Sequence, residues 1–116
     1  MSEIFKYLKD LSPDTNNHGT GKKYVFLSNE RMDSPLTQIA YGQLEPGEGC
    51  EEHLHPTMDE CFYFIKGQGQ YQVGEETVEL KPETFLRIPA TYKHSLKVTG
   101  NQPLEFVYWG VATDSI

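Results

Sequence analysis

Residues 47–67 read GEGCEEHLHPTMDECFYFIKG. Two of the chain's four histidines, His53 and His55, flank a single leucine, and Glu60 follows five positions after the second. In an extended chain, residues two apart project from the same face, with Cα atoms roughly 6.6 Å apart from two rises of about 3.3 Å. Two imidazoles so placed converge on one ion. Pro56 favours this geometry, because the residue before a proline, here His55, is pushed towards the extended region. Pro56 to Asp59 then read as a turn, after which Glu60 opens a strand and faces back towards the imidazoles. A fourth donor must come from farther away. His94 is the candidate, since it follows Pro89-Ala90-Thr91-Tyr92-Lys93, a turn-like connection between a strand ending at Ile88 and one starting at Ser95. Three neutral imidazoles and one carboxylate suit a single divalent transition metal, whether Zn, Fe, Mn, Ni or Co. They leave one or two positions for water, substrate or dioxygen.

The surrounding sequence has the punctuation of short strands. Residues 22–27, 36–44, 61–65, 70–73, 77–80, 84–88, 95–98 and 104–111 are mostly rich in β-branched and aromatic types. Turn formers separate many of them: Pro46-Gly47, Gly67-Gln68-Gly69, Gly74-Glu75, Lys81-Pro82 and Gly100-Asn101. This spacing predicts an all-β sandwich or barrel. Tyr71 and Val73 alternate with Gln70 and Gln72, and Val78 and Leu80 with Thr77 and Glu79, as in a half-buried hairpin turning at Gly74-Glu75. Residues 4–11 read as a helical turn or an extra edge strand. Residues 14–21 (DTNNHGTG) read as a loop.

Size and charge bound the function. A chain of 116 residues suits one compact domain spanning 1–116. Seventeen acidic against ten basic side chains give a net charge of −7 with no basic cluster, which disfavours a nucleic-acid partner. No apolar run is long enough to cross a bilayer, and the N-terminus has no secretion signal, so the expected location is cytoplasmic. Cys50 and Cys61 fit no CxxC pattern and are too few for a disulfide framework; both read as reduced structural thiols.

Gly47, His53, His55, Glu60 and Gly67, in that register, resemble the first motif of the cupin family, with every defining position filled. The second motif is partly kept. Pro89 and His94 fall where the family places them, but Glu83 and Thr91 stand where it has glycines, and Val98 where it has asparagine. The likeness covers about residues 22–111. It implies a double-stranded β-helix, or jelly roll, with the metal inside the barrel and often a homodimer outside. If Glu60 points inward, Phe62 and Phe64 share its face by the two-residue period, while Cys61, Tyr63 and Ile65 take the other. By the same parity Leu96 and Val98 follow His94 inward. The pocket wall would then be apolar and aromatic, built from Phe62 and Phe64, with Tyr41, Gln43, Tyr108 or Trp109 as polar handles.

Each assignment has a plainer competitor. His53 and His55 taken alone suit a polar surface turn as well as a ligand pair; it is Glu60, Gly67 and His94 in register that favour ligation. His18 reads as a solvated loop histidine, and Arg87 and Lys93 as exposed strand charges. The acidic stretch 45–60, with no Lys or Arg, argues against a polyanionic ligand there. Two functions of different class remain. One is a metalloenzyme acting on a small polar organic molecule by isomerase- or dioxygenase-like chemistry, with metal ligands His53, His55, Glu60 and His94; no separate general base is identifiable from the sequence, Tyr41 and Tyr108 being the candidates. The other is a non-catalytic module that binds a small molecule in the barrel.

Overall fold

A computed structural model of the chain describes residues 5–14, 21–28 and 34–113. Nine strands are present in this part: β1 (Lys22–Ser28), β2 (Leu36–Leu44), β3 (Gly49–His53), β4 (Met58–Lys66), β5 (Gly69–Val73), β6 (Glu76–Leu80), β7 (Thr84–Ile88), β8 (His94–Val98) and β9 (Leu104–Ala112). They form a five-stranded sheet in the order β1-β2-β9-β4-β7 and a four-stranded sheet in the order β3-β8-β5-β6, with every pairing antiparallel. The order is a jelly roll, as the sequence predicts. Residues 8–10 form a single 3-10 turn, the helical alternative for that segment. His18 lies outside the described residues.

The inward parity read from the sequence is the one observed. On β4, Phe62 and Phe64 are buried whereas Tyr63 and Ile65 are exposed, and on β8, His94, Leu96 and Val98 are all buried. Phe62, Phe64, Tyr71 and Phe106 meet between the sheets with ring centroids 5.4–6.4 Å apart. Burying aromatics of this size stabilises by roughly 1.5–3 kcal/mol each, which makes this cluster the main support of the fold. Val73 and Glu76 pair directly, so Gly74 and Glu75 make the two-residue hairpin expected there. Gly67 closes the preceding turn at φ +89°. A Cβ at that position would stand 2.3 Å from the Pro103 carbonyl oxygen, so only glycine fits.

Two local readings need correction. Strand β3, GCEEH, lacks β-branched and aromatic residues and gives no strand signal. It is extended because it pairs with β8, which is tertiary context overriding propensity. The turn after His55 is only Pro56-Thr57, and β4 begins at Met58, so Glu60 is the third residue of its strand.

Candidate metal centre and cavity

The two sheets supply different donors. In the β3–β8 ladder Cys50 faces Leu96, then a bulge leaves Glu51 and Glu52 exposed, and His53 lands opposite His94. Bulges re-aim side chains in this way. The result is a pair of imidazoles with centroids 4.3 Å apart. His55 lies beyond the end of β3, its ring 5.1 Å from that of His53 and 5.4 Å from that of His94. One ring nitrogen from each of the three lies within 4.8 Å of the other two. Glu60 reaches in from β4 on the opposite sheet, its Oε1 3.5 Å from His55 Nε2 and 3.7 Å from His94 Nε2. The three imidazoles singled out by the sequence thus gather between the sheets, and Glu60 approaches two of them, His55 and His94.

Hydrogen bonds fix which nitrogens face that point. His94 Nδ1 is 2.8 Å from the Tyr92 carbonyl oxygen, and His53 Nδ1 is 2.8 Å from that of Glu51. A carbonyl only accepts, so each Nδ1 carries the hydrogen, and in the neutral ring Nε2 keeps its lone pair. For His94 the consequence is severe: the residue is 1% exposed, and its Nε2 has no hydrogen-bond partner among the described residues. Buried polar atoms are nearly always satisfied. Burial also holds His94 below the ordinary imidazole pKa, favouring the neutral ligating form, while the hydrogen bond to Glu60 raises His55. An orphaned, unprotonated, inward-facing imidazole nitrogen beside two more imidazoles and a carboxylate fits a divalent cation.

The connection into His94 is strained. Glu83 and Thr91, which stand in the family's glycine positions, adopt φ of +71° and +75°, so the glycine conformation persists without glycine. For a β-branched residue this is an outlier costing about 1–2 kcal/mol. Thr91 is held there by its N–H, which donates to the His55 carbonyl at 2.8 Å. Asp59 clamps the same connection, accepting from the Ala90 N–H at 2.8 Å and from Arg87, which keeps its carboxyl below the usual range. Arg87 is thus a structural partner of this turn. Thr91→Gly is expected to raise the stability of the protein by up to about 1 kcal/mol, the relief of strain less the entropy glycine adds to the unfolded chain. Urea unfolding measures it, and a loss of 1 kcal/mol or more would show that Thr91 is not strained.

Next to the donors lies a cavity of ≈ 160 Å³, bordered by His53, His55 and Glu60 and walled by Phe62, Tyr71, Leu96, Phe106 and Tyr108, with Gln43 at its edge. Phe62, Gln43 and Tyr108 of the predicted wall are there. Tyr41 and Phe64 are not. Tyr41 points to the outer face of β2, where it packs against Tyr24 and its hydroxyl donates to Glu105. Phe64 is fully buried behind Phe62. Trp109 is also on the outside, against Phe85. Burial, reinforced by the Glu60 carboxylate, pushes the Tyr108 hydroxyl well above the ordinary phenol range, which favours its neutral form. Cys50, also in the wall, has its thiol pushed up to about 11 by burial and is un-ionised at neutral pH. The sequence reading missed Lys22, Lys23, Cys50, Tyr71 and Phe106 as cavity residues. For the lysines one signal existed: they are the chain's only adjacent basic pair.

A jelly roll with three histidines gathered between its sheets and a glutamate reaching in from the opposite strand defines a class of small β-barrel domains whose interior could hold an ion. The chain belongs to the cupin family, whose cupin-domain model matches residues 40–110. It is 29% identical over 101 residues to a protein named polyketide synthase CurC from Streptomyces cyaneus. That match covers 87% of this chain and 64% of the relative, so it spans just under two thirds of the latter's length. It is 30% identical over 81 residues to an oxalate-binding protein from Thermotoga maritima, covering 70% of this chain and 67% of that one. Among solved structures, a predicted oxalate decarboxylase from Thermotoga maritima superposes with a TM-score of 0.86 at 24% identity, over 94% of this chain and 99% of that one. At that identity the likeness concerns the fold.

Proposed function

We propose that the protein binds one divalent transition metal through His53, His55 and His94, with Glu60 as the fourth donor, and turns over a small polar organic molecule held in the adjoining cavity. The observation that carries this reading is the orphaned Nε2 of His94, a buried lone pair that nothing among the described residues satisfies. When bound, such an ion supplies Lewis-acid polarisation of a chelating oxygen or a site for dioxygen, the chemistry of isomerases and dioxygenases. The protein's own contribution is to fix the donors. His53 and His94 are oriented by backbone carbonyls, Glu60 by the β4 ladder, and the cavity wall of Phe62, Phe106 and Tyr71 excludes bulk water from the reacting end. Tyr108 is available to donate a hydrogen bond to a bound oxygen.

A second reading, a non-catalytic binding module, is favoured by the relative named for oxalate binding. Untagged protein separates the two. One equivalent of metal by elemental analysis, with oxygen uptake or isomerisation in assays of organic acids, diols and sugars, supports the enzyme; saturable binding without turnover supports the module. Chelator treatment tests the ion itself. Ligand at a thousandfold excess over its Kd adds about 4 kcal/mol, so stripping the metal is expected to lower the melting temperature by about 10 °C or more. An unchanged melt together with no bound metal would reject the metal centre.

The proposed homodimer would use the outer face of the five-stranded sheet, where Tyr63, Ile65 and Phe85 are exposed. Sedimentation at the monomer mass of 13.3 kDa at tens of micromolar would remove it.

A further inference from the structure

We propose that Lys23 forms an anion-binding end to the cavity, so that the molecule it takes is an organic acid: a metal-chelating head at the histidines and a carboxylate at the lysine. The inference rests on the metal-centre reading and specifies its substrate class. Both lysines border the same cavity as His53, His55 and Glu60. Lys23 pairs directly with Gly42 across the β1–β2 ladder, and directly paired residues share a face of the sheet. That face is the inner one, because a Cβ at Gly42 would lie 2.5 Å from the Phe106 ring, which walls the cavity. Gly42 itself offers no side chain, which lets the Phe106 ring lie against the strand next to Lys23.

Topology makes the span between the two ends continuous. β1 and β3 are each the edge strand of their sheet, so the cavity runs across the seam from Lys23 on one edge to His53 on the other. Its ≈ 160 Å³ is close to the ~150 Å³ of an engineered cavity that takes up benzene, which limits the occupant to about one ring or a short chain.

Charge gives the chemistry. In a protein of net charge −7, neither Lys22 nor Lys23 forms an ion pair among the described residues, although Lys23 is half-buried. Of the residues bordering the cavity these two are the only cations, and Glu60 is the only carboxylate, at the opposite end and among the histidines. A half-buried ammonium with no ion pair among the described residues gains from a counter-ion brought by a ligand, to which it donates a charge-assisted hydrogen bond. This assigns to Lys23 the selection of acids over their neutral analogues.

The test uses the cobalt-loaded full chain under anaerobic conditions, titrated with 3,4-dihydroxybenzoate and with 3,4-dihydroxybenzamide while the visible cobalt band is followed. The two probes share a chelating head and differ only in the charge of the tail. The wild type is expected to bind the acid about tenfold or more tightly than the amide at low salt, and the preference is expected to shrink as salt screens it. In Lys23→Gln the preference falls to within about twofold, while Lys23→Arg retains it and both variants keep one cobalt per chain. Equal affinity for the two probes in the wild type, or an undiminished preference in Lys23→Gln, overturns the assignment while leaving the metal centre standing. Failure of the wild type to take up cobalt overturns the metal centre instead, and the assignment with it.

Discussion

His94→Ala protein is expected to purify without stoichiometric metal under conditions where the wild type carries one ion per chain. The fall in affinity should be at least about 100-fold, since altering even the groups that orient a ligand costs 10–100-fold. His94 carries this weight because it is the one fully buried donor, 1% exposed, with its tautomer set by the Tyr92 carbonyl. His94→Leu separates ligation from packing. In metal-free wild type the unsatisfied Nε2 costs about 1–3 kcal/mol, and leucine removes that atom while largely filling the space. It also leaves the Tyr92 carbonyl without its donor, a cost of similar size and opposite sign. The metal-free Leu variant is therefore expected to melt within a few degrees of metal-free wild type, yet to show no response to chelator or added metal. If His94→Leu keeps one ion per chain and the wild-type chelator response, the ion is held elsewhere and the proposed centre is wrong.

The geometry of the candidate metal centre is legible because it is carried by local spacing: His53 and His55 two apart, Glu60 after a short turn, His94 after a proline turn. What spacing does not contain is pairing. Strand β3 was invisible because Gly49-Cys50-Glu51-Glu52-His53 has no intrinsic preference for extension, and only β8 makes it a strand. The same ladder brings His53 opposite His94, a contact that no window of sequence encodes. Tyr41 was misplaced for a related reason. Ala40, Tyr41 and Gly42 are all buried, because β2 is covered on both faces, so no alternation marks which side chain enters the cavity. No local stretch of sequence places Lys23 at the cavity, because its partner, Gly42, lies nineteen positions away. The glycine positions occupied by Glu83 and Thr91 show the reverse case. Residue type argued against the turn, and surrounding hydrogen bonds imposed it regardless.

Phe64→Ala is expected to remove about 3–5 kcal/mol of stability, a large share of the 5–15 kcal/mol typical of a domain, and to lower the melting temperature by roughly 15 °C. Phe64 is fully buried and packs on Phe62, Tyr71 and Phe106, so the two sheets meet through it and truncation leaves a void they cannot close without losing the stack. Its neighbour Tyr63 is 42% exposed on the opposite face, and Tyr63→Ala should cost no more than about 1 kcal/mol. The contrast between adjacent positions tests the register of β4, and with it the site. A slip of one residue would exchange the faces, burying Tyr63 and turning Glu60 away from His55 and His94. Phe62→Ala extends the test into the cavity, because Phe62 stacks between Phe64 and Tyr108 and is itself part of the wall. It should weaken binding of aromatic ligands as well as the fold, whereas Phe64→Ala should affect binding only through the loss of folded protein. Equal destabilisation by Phe64→Ala and Tyr63→Ala in chemical denaturation would contradict the parity that delivers Glu60 to the metal centre, and the four-donor arrangement would fall with it.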